Sequence, residues 1–151
     1  MGLGTEILSV SVPNEVVDLQ DHSISYLTAS GDVSAVITSE GTVFTWGKTK
    51  GGSLGASGST FTTNLVSPTP IEAFDVRFRA ISCGRTHMAA ITENGKLITW
   101  GNPDHGKLGH TSKEQEQKKG YQPRNYAEYS DIDFVGQDLE GKNIVQVACG
   151  F

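Results

Sequence analysis

The feature that most constrains this chain is an internal repeat at a fixed offset of 54 residues. Gly41 returns as Gly95, Trp46-Gly47 as Trp100-Gly101, and Leu54-Gly55 as Leu108-Gly109. Between these anchors Ala35-Val36-Ile37-Thr38 is matched by Ala89-Ala90-Ile91-Thr92. A third copy shows at its edge: Ile81-Ser82-Cys83-Gly84 returns as Val147-Ala148-Cys149-Gly150 at an offset of 66, the extra residues falling in the charged stretch after His110. Upstream, Tyr26 to Gly31 takes the equivalent place without the cysteine, and Leu3-Gly4 echoes the tail of a still earlier unit over two residues only. Such a period marks supersecondary units that bury a core only by stacking on their neighbours.

Each unit reads as strands. Val33 to Ile37 and Met88 to Ile91 are short apolar runs, and Thr42 to Trp46 and Lys96 to Trp100 are rich in β-branched and aromatic residues with alternating polarity. Between them Glu40-Gly41 and Asn94-Gly95 predict two-residue hairpin turns with positive φ at both central positions. Two weaker strands, Ile71 to Phe74 and Arg79 to Cys83, bring the count to about four per unit, the make-up of a propeller blade. The expected fold is all-β: β-propeller blades of four short antiparallel strands, with helix minor. The units divide as 1–23 (a partial preceding blade or N-terminal extension), 24–78, 79–144 with an extended loop at 110–131, and 145–151 as the start of a third.

The combined pattern resembles the regulator of chromosome condensation repeat. Cys83-Gly84, His87 three residues on, the strand Met88 to Ile91, the Asn94-Gly95 turn, Trp100-Gly101 and Gly106-Lys107-Leu108-Gly109 follow that family's order throughout. The first copy keeps Gly52-Ser53-Leu54-Gly55 but has Asp32-Val33-Ser34 where the histidine would stand, one residue short; the third stops at Gly150-Phe151. The likeness covers roughly residues 24–151. It implies a seven-bladed ring, of which this chain would hold about 2.5–3 blades, the remainder coming from the same chain or from other subunits. Both ends cut a unit in mid-pattern, so a longer parent is expected. A Trp-Asp type of propeller is the alternative, disfavoured because both tryptophans precede glycine.

Composition limits the function classes. The formal charge is −5, which argues against a grip on nucleic acid by this segment. No apolar run reaches the ~20 residues of a membrane helix, and no secretory signal is visible at the N-terminus. Two cysteines are too few for a disulfide framework and suit a reducing, intracellular compartment. The resemblance admits the cytoplasm, the nucleus and mitochondria.

The glycines, 18 against 5 prolines, are spread through the chain and read as turn residues. Gly51-Gly52-Ser53-Leu54-Gly55 could cradle a phosphate, but no Gly-Lys-Ser/Thr follows. Trp46 and Trp100 read as wedges between blades, with a sugar or peptide platform as the alternative. His22, His87, His105 and His110 with Cys83 and Cys149 lack metal-ligand spacing, and no nucleophile–base–orienter set is legible. No catalytic, metal or cofactor site is therefore expected. Gly41, Trp46, Gly47, Leu54, Gly55, Cys83, Gly84, His87, Gly95, Trp100, Gly101, Leu108, Gly109, Cys149 and Gly150 are read as structural repeat residues, with His87 bonding backbone across the blade. The candidate partner-binding residues are Tyr121, Arg124, Tyr126 and Tyr129, in the least repeat-like stretch, since Tyr and Arg dominate interface hot spots. The expected role is a protein-interaction scaffold. The founding family member implies guanine-nucleotide exchange on a small GTPase as the alternative, and an organellar assembly role is a third reading.

Overall fold

The computed structural model describes residues 2–4, 9–50, 53–55, 62–72, 75–102, 104–109, 139 and 141–150, the side chains of 49, 50, 62 and 63 excepted. It contains two antiparallel meanders. The first runs β1 (Ile24–Ser30), β2 (Val33–Thr38), β3 (Val43–Lys50) and β4 (Thr62–Pro70), paired in that order. The second runs β5 (Phe78–Cys83), β6 (His87–Thr92) and β7 (Leu97–Gly101). Two 3₁₀ turns, Val17–Leu19 and Asp104–Gly106, are the helical segments among the described residues.

The hairpin strands and β5 fall where the sequence pattern puts them, whereas Ile71 and Glu72 of the expected strand over Ile71 to Phe74 are not in a strand. Ile71 and Glu72 lie beyond the end of a longer strand, and residues 73 and 74 lie outside the described residues. The fourth strand is β4. Its Ser67-Pro68-Thr69-Pro70 end disguises it in the sequence, but β4 is an edge strand, where a missing N–H costs no ladder bond. A register shift between Thr45 and Gly47 accommodates the prolines' side of the ladder. Ile71 still donates its N–H to the Val43 carbonyl at 2.9 Å and is buried.

The hairpin turns also differ from the two-residue form. Gly41 N–H donates to the Thr38 carbonyl (3.0 Å) and Thr38 N–H to the Thr42 carbonyl (2.9 Å); Gly95, Thr92 and Lys96 repeat both bonds at 2.9 Å. Gly41 and Gly95 have φ of 84° and 75°, while Glu40 and Asn94 stay out of the left-handed region. This is a three-residue loop closed by a left-handed glycine bulge. The hydroxyls of Thr38 and Thr92 favour it by accepting the N–H of Thr42 and Lys96 at 3.3 and 3.0 Å.

The core is the seam between the two sheets. Val33, Ala35 and Ile37 of β2, Val43, Leu54 and Ile71 form one buried cluster with Phe78, Ile81 and Cys83 of β5, Met88 and Ala90 of β6, and Ile98 and Trp100 of β7. Repeat-equivalent positions on the two sheets therefore have opposite fates. Ile81 is fully buried against the first sheet, while its equivalent Leu27, on β1 of the first sheet, is 72% exposed. Truncating Ile81 to alanine should cost about 2–5 kcal/mol in urea unfolding. Leu27→Ala in the same chain should stay within about 0.5 kcal/mol.

Candidate functional site

The seam is locked by bonds that recur from unit to unit. Thr45 Oγ1 donates to the Leu54 carbonyl at 2.5 Å, and Thr99 Oγ1 to the Leu108 carbonyl at 2.7 Å, pinning each Leu-Gly loop to its Trp strand. Trp100 Nε1 then donates across the seam to the Ser53 carbonyl, 3.0 Å away. Trp46 is buried likewise, and Gly2 lies against its indole: a Cβ there would come within 2.9 Å of Nε1. Gly2-Leu3-Gly4 thus sits by Trp46 much as Ser53-Leu54-Gly55 sits by Trp100, with left-handed φ at Gly4 (86°) and Gly55 (68°). Gly109 has φ of 71° at the same repeat position.

The Trp-Gly pairs need their glycines for close backbone approach. Lys48 N–H donates to Asp32 O (3.0 Å) and Asn102 N–H to Thr86 O (2.8 Å), with φ of 112° at Gly47 and 109° at Gly101. A Cβ at Gly101 would lie 2.6 Å from the Thr86 carbonyl oxygen, and one at Gly47 would run into that of Asp32.

A second ladder of latches joins the first strands of successive units. Cys83 N–H donates to Thr28 Oγ1 at 3.3 Å, and Cys149 N–H to Ser82 Oγ at 2.9 Å. The Cys149 thiol also donates to the Ser82 carbonyl at 3.3 Å. Thr28 and Ser82 occupy one repeat position, facing Ala35 and Ala89 in register. The sequence reading missed these hydroxyls, along with Thr45 and Thr99; their signal was recurrence at the 54-residue offset.

Neither cysteine is paired. Burial, opposed by the Thr28 hydroxyl and aided by nearby Cys149, pushes the Cys83 thiol up to about 12. Burial likewise raises the Cys149 thiol against the hydrogen bond to Ser82. Both are small seam residues held as neutral thiols. Gly84 N–H donates to the His87 carbonyl at 2.8 Å, and the imidazole packs on Gly84, where a Cβ would lie 2.6 Å from Nδ1 and 2.9 Å from the Gly150 carbonyl. Among the described residues the imidazole makes no hydrogen bond to backbone across the blade, so packing replaces the expected bond. Burial, then the Lys107 ammonium, lowers its pKa.

Among the described residues no group of three or more His, Cys, Asp or Glu side chains could hold a metal. Tyr121, Arg124, Tyr126 and Tyr129, together with His110, lie outside the described residues. What the described residues build is a rigid seam with two rims: strand-end loops at one end of each sheet and hairpin turns at the other.

Two outcomes follow from the buried groups. Cys83 should react slowly with a thiol reagent in the native protein at mildly alkaline pH and rapidly in denaturant, read by absorbance of the released chromophore. For His87 the folded pKa lies below the unfolded value of roughly 6.5. Below that value the unfolded chain binds a proton that the folded chain resists, so stability falls as pH drops. The urea midpoint should therefore decrease from about pH 7.5 to about pH 5.5, and His87→Gln should flatten that slope.

The fold and its latches agree with comparisons to known proteins. The family model described as Regulator of chromosome condensation (RCC1) repeat matches residues 40–91 and 94–150. The chain is 31% identical over 153 residues to the human E3 ubiquitin-protein ligase HERC2, covering 99% of this chain and 3% of that protein. It is 39% identical over 110 residues to the mitochondrial RCC1 domain-containing protein RUG3 of Arabidopsis thaliana, covering 72% of this chain and 24% of the relative. It is 36% identical over 115 residues to the secretion-regulating guanine nucleotide exchange factor of Mus musculus, covering 74% and 24%. Among solved structures, yeast RCC1 (Prp20) bound to Kap60 superposes with a TM-score of 0.67 at 15% identity, covering 93% of this chain and 30% of that one. The chain spans less than a third of each of these proteins, and its two sheets are RCC1-type propeller blades. The chain belongs to the regulator of chromosome condensation (RCC1) repeat family.

Proposed function

We propose that these blades act as part of a protein-interaction scaffold, a propeller whose other blades come from the same chain or from further subunits. The observation that carries this reading is the division of labour between seam and rims. Trp100, Cys83 and Ser82 hold one unit to the next and Thr99 pins the Leu108 loop within its own unit, while the strand-end loops carry exposed residues such as Arg85 and His105. A rigid frame presenting loops is what a docking surface needs. The repeat's occurrence in proteins named as a ubiquitin-protein ligase and as an exchange factor supports a shared binding unit over a shared reaction.

Guanine-nucleotide exchange on a small GTPase is the second reading, favoured by the 36% identity to the secretion-regulating exchange factor. Such a surface would act by displacing the loops that hold phosphate and Mg²⁺, and would need no reactive side chain. The compartment is intracellular in this reading, and the similarity to a mitochondrial relative makes an organellar assembly role a variant of it. Residues 24–78 and 79–144 serve as the repeat units of the scaffold, 1–23 as the end of a preceding one and 145–151 as the start of the next.

Tyr121, Arg124, Tyr126 and Tyr129 are the proposed contact residues. Replacing all four by alanine should cost at least about 2 kcal/mol of partner binding, roughly 30-fold in Kd, by calorimetry against a co-purified partner. Stimulated release of labelled GDP from a small-GTPase panel would instead move the assignment to exchange; a flat panel would remove that reading.

A further inference from the structure

The two rims of the second sheet differ in charge, and the difference comes from residues outside the repeat. Topology places the β5–β6 loop and the segment after β7 on one rim. There Asn102 N–H meets the Thr86 carbonyl at 2.8 Å, and Lys107 Nζ donates to Thr86 Oγ1 at 3.0 Å, bringing the ammonium over the loop that carries exposed Arg85. Exposed His105 lies two residues before Lys107, and Asp104 is the one carboxylate among the described residues of this rim. The opposite rim of this sheet, made by the β6–β7 turn and the chain entering β5, carries Asp75 and Glu93 beside Arg77 and Lys96, while the first sheet has Asp32 in its strand-end loop and Glu40 in its hairpin turn.

The cations of the loop rim have no counterpart in the first unit. At the 54-residue offset Arg85 corresponds to Gly31, His105 to Gly51 and Lys107 to Ser53, while Thr86 corresponds to Asp32. None of the three is needed to build a blade, because the first unit forms its sheet without them. His105 stands out further: it adopts φ of 62°, the left-handed region, as the one non-glycine residue to do so among those described, where the first unit has glycine in sequence. A strained, exposed, basic loop on a rigid frame is the usual setting of a contact surface.

We propose that the rim formed by Arg85, Thr86, His105 and Lys107 docks a carboxylate-rich peptide segment of a protein partner. The proposal deepens the scaffold reading and rests on it. Arg85 and Lys107 supply two positive charges on the one rim, and the Thr86 hydroxyl and His105 imidazole offer further hydrogen bonds. The chain's overall charge of −5 does not oppose this, because Asp104 is the one carboxylate among the described residues of this sheet's loop rim.

The test uses a fluorescein-labelled oligoglutamate peptide and anisotropy titration at low salt. The R85E/K107E variant should weaken binding by more than about tenfold. The K96E/K142E variant makes the same change in net charge on the turn rim and should alter binding less than about twofold. Equal weakening by both variants, or no binding by the wild-type protein, overturns the proposal. A single-stranded oligonucleotide of equal charge that binds as tightly as the peptide also overturns it, in favour of a phosphate site. Should R85E/K107E fail to fold, ring-proton NMR shifts of His105 in the wild-type protein decide: they should move on peptide addition, and stationary resonances sink the idea. Peptide binding that is absent while partner capture through Tyr121 to Tyr129 persists would remove this site and leave the scaffold reading standing.

Discussion

The turn glycine of each unit carries two demands at once, and the propeller arrangement depends on both. Gly41 and Gly95 must take a left-handed φ to close a three-residue hairpin, and each must also let the chain of the next unit cross directly over it. Phe78 N–H donates to the Gly41 carbonyl and Ile144 N–H to the Gly95 carbonyl, both at 2.9 Å, so the turn is also the entry port of the following blade. A Cβ at Gly41 would come within 2.7 Å of Arg77 Cβ, and one at Gly95 would collide with the Asn143 side chain. Any other residue would strain the turn and push the next blade off the seam together. One position therefore fixes both the hairpin within a blade and the stagger between blades.

From that crossing the rest of the seam follows by geometry. Once β5 is laid against the first sheet, its alternation sends Ile81 and Cys83 inward to meet β2, and its Cys83 N–H reaches Thr28. The same step brings Trp100 over the Leu54 loop, where its indole finds the Ser53 carbonyl. Apolar area supplies most of the driving force, being non-directional, while the hydroxyl and indole bonds set the register by penalising any displacement that leaves a buried donor unpaired. The 144–150 segment repeats the first of these contacts on the second sheet through Cys149 and Ser82.

Much of this was legible in the sequence, and the limits have physical causes. Hairpin strands were visible because burial on both faces selects apolar, β-branched runs, and recurrence at 54 residues separated them from chance. β4 was hidden because an edge strand escapes the rule against proline that marks interior strands. The turn type was misread because Asn-Gly is equally at home in two loop lengths, and only the Thr38 and Thr92 hydroxyls tip the choice. Thr28 and Ser82 look like ordinary solvent-facing residues of a strand; their partners lie 55 and 67 residues away, beyond any local pattern. The tyrosine-bearing stretch lies outside the described residues, so its reading rests on composition alone.

A repeat separates structural from functional residues in a way that a single-copy fold does not. Positions that recur, such as Thr45 with Thr99 or Gly47 with Gly101, are explained by the seam, because the same bond is made twice. Positions that differ between copies are released from that duty, and their chemistry needs another reason. Arg85, His105 and Lys107 replace Gly31, Gly51 and Ser53 without altering the strand plan, and one of them holds a backbone conformation that glycine would hold more easily. Departure from the repeat at a cost in backbone energy, gathered on one rim and of one sign, is the pattern that selection for a contact would leave on a frame otherwise dictated by packing.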